Sequence, residues 1–166
     1  MRGTFMDYDR NRAVVYAHRW AFDRNPNYYD FENLGGDCTN FISQCIYAGC
    51  KVMNYTPDVG WYYNSSNSRS AAWTGVPYLY NFLINNKGTG PYGHTAPLTD
   101  ARPGDIIQLT FNGGVYSHSL LIVSTGEIPD TSNILIATHT FDSDNRPLNT
   151  YNYAAHRLIC IDGVRR

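Results

Sequence analysis

The stretch Gly35-Gly36-Asp37-Cys38-Thr39-Asn40-Phe41-Ile42-Ser43-Gln44-Cys45 decides the fold. Its two glycines allow a sharp turn and a close backbone approach. From Cys38 onward, Phe41, Ile42, Cys45, Ile46 and Ala48 keep helical spacing. That pattern predicts a buried helix running to Gly49, its expected C-cap. Cys38 then sits in the first turn, where a thiolate is favoured because a helix N-terminus carries about half a positive elementary charge. The free N–H groups of the same turn can hold a tetrahedral oxyanion. The placement suits acyl transfer twice over, although a lone cysteine is more often a small buried core residue.

Upstream, residues 9–22 predict a helix with Asp9 as N-cap and Ala13, Ala17, Trp20 and Ala21 as its packing stripe. Asn25-Pro26-Asn27 stops it. Downstream, residues 51–100 read as irregular, rich in Tyr, Asn, Ser and Gly, with one short helix near residues 76–84. A loop region of that length inside a compact domain is usually functional or mobile. After the turn Arg102-Pro103-Gly104-Asp105, strands are predicted over residues 106–111, 116–124, 133–140 and 157–161, with Asn112-Gly113-Gly114 as a hairpin signal. Helices first and an antiparallel sheet second predict an α+β fold. No repeat or linker divides the chain, so residues 1–166 are expected to form a single domain.

Composition narrows the function. The formal net charge is −1 and charged residues are 16% of the chain, which removes the basic footprint of a nucleic-acid binder. No apolar run approaches the roughly 18 residues of a membrane span. Residues 1–6 lack the charged and apolar regions of a secretory signal, which leaves a cytoplasmic protein or a domain of a longer exported one. The four cysteines, Cys38, Cys45, Cys50 and Cys160, contain no CxxC pair, so neither a zinc finger nor a redox dithiol is supported.

A thiolate nucleophile needs a base, and His118 is the candidate. It enters the apolar strand His118-Ser119-Leu120-Leu121-Ile122-Val123 and shares a period-two face with Leu120 and Ile122, the core face if the helices pack there. A thiolate partner would hold its imidazole charged. His139 closes the next strand in phase with Leu135 and Ala137, and is positioned to orient the base as the third member of a triad. Asp142, just beyond, is the rival for that role. A zinc-amidase alternative would draw ligands from His94, His118, His139 and Asp142, but no HExxH-type spacing supports it.

Three strings carry a resemblance: Tyr8-Asp9-Arg10-Asn11-Arg12-Ala13-Val14, Gly36-Asp37-Cys38-Thr39-Asn40-Phe41-Ile42-Ser43-Gln44-Cys45 and Ser117-His118-Ser119. With Pro103-Gly104-Asp105 and His139-Thr140-Phe141-Asp142 they resemble the bacterial "Putative amidase domain" family over about residues 8–161. That family is related to the papain-like NlpC/P60 and CHAP domains of cell-wall hydrolases. The resemblance implies a papain-like fold, Cys38 as nucleophile, His118 as base, and His139 or Asp142 as the third polar group. It also implies that Asp37 binds a free amine of the stem peptide. Peptidoglycan, glycan and stem peptide together, is the implied partner. No cofactor is expected, the expected location is extracellular or in the cell wall, and a separate wall-binding domain would complete the protein. Trp61 and Trp73, with Tyr62, Tyr63, Tyr78 and Tyr80 in the aromatic middle, are the expected substrate-binding faces, unless they pack beneath the short helix. An inactive wall-binding module of the same fold is the remaining alternative.

Overall fold

The computed structural model describes residues 4–166. A short strand β1 (Phe5–Met6) leads into α1 (Arg10–Trp20), followed by α2 (Cys38–Cys50). The hairpin strands β2 (Tyr63–Ser65) and β3 (Ser68–Arg69) precede α3 (Ala71–Thr74) and α4 (Val76–Asn85). Then come β4 (Gly90–Ala96), β5 (Ile106–Thr110), β6 (His118–Ser124), β7 (Leu135–Thr138), β8 (Ser143–Pro147) and β9 (Ala155–Arg165). The large sheet runs β1-β9-β5-β6-β7-β8, with β4 also paired to β9, and every pairing is antiparallel. The result is the α+β arrangement expected, helices on one side and an antiparallel sheet on the other.

Asp9 caps α1 as expected, its carboxylate accepting from the Arg12 N–H at 3.0 Å. Ala13, Ala17 and Ala21 are fully buried, and their small side chains let α1 settle on α2. A buried ion pair then ties α1 to the sheet. Arg10 Nη1 donates to Asp105 Oδ1 at 2.7 Å, and its Nη2 donates to the Ile161 carbonyl at 2.6 Å. Gly104 (φ +92°) makes the turn before Asp105, packed against the Arg10 and Tyr8 side chains.

Three expectations change. Gly49 is not a cap: α2 continues to Cys50 and ends at Lys51, which adopts the left-handed conformation (φ 58°). Gly49 is small for packing instead, since a Cβ there would come within 2.7 Å of the Asp9 carbonyl and 2.6 Å of the Tyr8 ring. Second, the stretch read as irregular contributes β4, a seven-residue partner of β9. Its Gly-Pro-Tyr-Gly start lacks the apolar alternation that marks a strand.

Third, the helices pack on the face of β6 opposite to the expected one. Leu121 and Val123 join Phe41, Ile42, Cys45 and Ile46 in the helix-facing core. Leu120 and Ile122 join Ile107, Leu109, Ile134, Ile136 and Leu148 on the other side. Both faces are covered, so an unbroken apolar run carries no signal of which face meets the helices.

Candidate active site

Cys38 is the first residue of α2 and is 7% exposed. Its sulfur faces the backbone N–H groups of Ser119 and Thr39, and the Thr39 hydroxyl lies 3.8 Å away. His118 is the neighbour of Ser119 and the first residue of β6, so the strand that gives an N–H to the sulfur also carries the imidazole. The His118 ring, 7% exposed, is flanked by Tyr151 at 5.8 Å and Phe111 at 6.5 Å between ring centroids. Tyr151 is near enough to Cys38 to feel its charge, and the Ser143 and Arg146 side chains lie close to its buried hydroxyl. Sequence reasoning missed Tyr151, which follows a single 3-10 turn and stands in none of the matched strings.

Burial works against the thiolate–imidazolium pair expected. Burial pushes the Cys38 thiol up, against the opposing pull of the Ser119 N–H and the Thr39 hydroxyl and N–H. Burial, with the charge of Arg146, pushes His118 down to about 4. Burial thus favours the neutral form of both groups. Desolvation outweighs the helix terminus because both side chains are almost wholly withdrawn from water.

Every polar side chain of the string around Cys38 has a partner. Asp37, 1% exposed, accepts from the Phe31 N–H and from Asn40 Nδ2 through Oδ1, both at 2.8 Å, and meets His139 Nδ1 through Oδ2. Thr39 meets Ser119 Oγ at 3.0 Å. Asn40 accepts from Trp73 Nε1 at 3.0 Å. Phe41 stacks on the His139 ring at 4.1 Å. Ser43 accepts from Trp61 Nε1 at 3.0 Å and donates to the Trp73 carbonyl at 2.9 Å. Gln44 accepts from the Tyr16 hydroxyl.

The remaining expected residues go elsewhere. His139 does not orient His118: its Nδ1 is taken by Asp37 and its Nε2 donates to the Trp20 carbonyl at 2.8 Å. It follows β7 on the helix-facing side, whereas His118 points to the other side of β6 beside Tyr151. Asp142 is also turned away, accepting from Arg24 Nη1 and Nη2 at 3.0 and 3.1 Å. Both oxygens of Asp37 are used internally, so none is free for a ligand's amine. Trp61 and Trp73 are 0% exposed, packed on each other at 4.8 Å, and present no face to a substrate. Ser43 and Asn40 satisfy both indole N–H groups, whereas Tyr78 of the same aromatic stretch stays exposed.

The four ligands of the zinc alternative are not gathered: His94 pairs with Asp162, His139 with Asp37, and Asp142 with Arg24. No group of three or more metal-ligating side chains occurs among the described residues. Cys45, Cys50 and Cys160 are buried free thiols, and burial pushes the last two up to about 12. A cleft of about 470 Å³ opens beyond the C-terminal end of α2, lined by Asn54, Tyr78, Asn81 and Phe82, and holds none of the residues around Cys38.

The fold and site define an α+β domain with one buried thiol at a helix start, a backbone N–H directed at its sulfur, and a histidine next in sequence to the residue that gives that N–H. Residues 7–161 match the family described as "Putative amidase domain", and the chain belongs to that family. Among curated proteins it is 34% identical over 149 residues to "Uncharacterized protein YhbB" of Bacillus subtilis (strain 168). The match covers 87% of this chain and 45% of the relative, so the chain spans less than half of that protein's length. No solved structure matches.

Proposed function

We propose that the protein is a cysteine amidase or endopeptidase that cleaves an amide bond of bacterial peptidoglycan, with a papain-like arrangement akin to that of NlpC/P60 and CHAP hydrolases. The observation that carries this reading is the Cys38 sulfur at the start of α2, facing the N–H of Ser119 next to His118. Neutral His118 takes the thiol proton as the sulfur attacks the amide carbonyl. The N–H groups at the start of α2 hold the oxyanion that forms. His118, now protonated, gives its proton to the departing amine, leaving a thioester on Cys38. Water, deprotonated by His118, then releases the acid and restores the thiol. The starting pair is neutral, so charge develops only as the bond forms, where fixed dipoles in a dry site act most strongly.

His118 works here without His139 or Asp142 as orienter; Phe111 and Tyr151 hold its ring by packing. Asp37 and His139 shape the turn that presents Cys38. Peptidoglycan as substrate, and with it a place of action in the cell wall or outside the cell, is supported by the resemblance of the Cys38 and His118 strings. The test is digestion of purified cell wall, with mass spectrometry of the soluble fragments and an assay of new amino groups. The wild-type protein should release fragments with one new amine per cut, and Cys38→Ala should release none. Equal release by both, or none by either, would overturn the reading.

A further inference from the structure

Behind Cys38 runs a chain of hydrogen bonds whose direction is set at its origin by Arg157 and Gln108. Arg157 on β9 donates through Nε and Nη2 to Gln108 Oε1, at 2.9 and 2.6 Å. Gln108, fully buried on β5, must present its amide nitrogen on the other side, because that atom meets the Val76 carbonyl at 2.9 Å. The same nitrogen donates to Ser119 Oγ at 3.2 Å. The hydroxyl hydrogen of Ser119 cannot return to a nitrogen without a lone pair. Its remaining partner is Thr39 Oγ1, at 3.0 Å. Thr39, having accepted that hydrogen, turns its own toward Cys38 Sγ, 3.8 Å away.

The origin of the chain is fixed as firmly as its end. The Arg157 guanidinium is clamped between the rings of Tyr80 and Tyr116, at 3.6 and 4.0 Å from their centroids. We propose that Arg157, Gln108 and Ser119 are positioning residues of a relay that keeps the Thr39 hydroxyl hydrogen available to Cys38 Sγ. The relay stabilises the sulfur as an anion, because the Thr39 hydrogen stays free for it once the thiol proton has left. Other titratable groups near the sulfur are Asp37, whose charge opposes the anion, His118 on β6, and Tyr151 after β8.

This inference rests on the reading of Cys38 as a reactive thiol, and one experiment separates the two. The rate at which iodoacetamide alkylates the Cys38-bearing peptide is followed against pH by mass spectrometry in the intact protein. Thr39→Val, which removes the donor at nearly constant shape, should raise the midpoint of the Cys38 profile by about one pH unit, a tenfold loss of thiolate below it. Thr39→Ser, which keeps the hydroxyl, should titrate with the wild type. Gln108→Glu should raise the midpoint as Thr39→Val does. A carboxylate has no hydrogen for Ser119, so Ser119 turns to Glu, Thr39 turns to Ser119, and the sulfur loses its donor. That variant sets a carboxylate against the Val76 carbonyl and threatens the fold. Thr39→Val combined with Ser119→Ala, which removes both hydroxyls and leaves neither unpaired, should show the same rise. A wild-type midpoint in Thr39→Val and in the double variant would overturn the relay and leave the nucleophile reading standing. A Cys38 that resists alkylation at every pH would overturn both.

Discussion

Asp37 and His139 face each other in the interior, their side chains 1% and 2% exposed, with Oδ2 of the carboxylate against Nδ1 of the ring. The other ring nitrogen donates to the Trp20 carbonyl, so the ring is held at both nitrogens. It pins the residue before Cys38 to the end of β7 and to the last turn of α1. Losing the Asp37 carboxyl leaves the Phe31 N–H, Asn40 Nδ2 and His139 Nδ1 buried without their partner, at about 1–3 kcal/mol each. Asp37→Ala should therefore lose about 3–5 kcal/mol of stability, read from urea unfolding by circular dichroism. Asp37→Asn, which still accepts from the Phe31 N–H, should lose less. An Asp37→Ala protein as stable as the wild type would contradict the pairing.

Gly49→Ala tests the contact between α1 and α2. In an exposed helix interior this substitution gains about 1 kcal/mol. Here the new methyl meets the Asp9 carbonyl at 2.7 Å and the Tyr8 ring at 2.6 Å. Overpacking of this kind costs about 1–3 kcal/mol, so the thermal midpoint should fall. A rise would mean the helices part more easily than their backbone contact implies.

The burial of His118 has a pH signature. Its native value is pushed from 6.5 to about 4, so between those values the unfolded chain binds a proton that the native protein refuses. The stabilisation is complete above about 6.5 and is lost as the pH falls towards 4. At 1.36 kcal/mol per unit the loss is at most about 3 kcal/mol. His156, lowered by burial too, acts in the same direction. Comparing the wild type with His118→Phe isolates the His118 share, and the variant should lose stability less steeply between pH 6.5 and 4. Parallel curves would show that the ring is not desolvated.

The sequence made some of this readable and hid the rest for identifiable reasons. α1 was legible from Asp9 and its alanine spacing, and α2 from the period of Phe41, Ile42, Cys45 and Ile46. The position of Cys38 followed directly from the start of that period. The face of β6 was not legible, because Leu120 through Val123 are buried on both sides and alternation vanishes. β4 was hidden by its glycines and proline. The assignment of His139 to His118 failed on direction: neighbouring strands bring two histidines near, but side chains one residue out of phase point to opposite faces. Composition could not say whether Trp61 and Trp73 face solvent, since an indole serves a core as well as a ligand when its N–H finds an acceptor. Tyr151 and the links from Arg157 to Thr39 come from segments far apart in sequence, and only the folded sheet brings them together.

In the proposed reaction the sulfur of Cys38 forms the covalent bond. The most direct measurement is acid quenching of the protein during turnover of peptidoglycan fragments, followed by peptide mapping by mass spectrometry. The Cys38 peptide should carry the acyl part of the substrate as a thioester released by hydroxylamine, and Cys38→Ala should form neither adduct nor product. Product formed at wild-type rate by Cys38→Ala, or an acyl group mapped to another residue, would contradict the account.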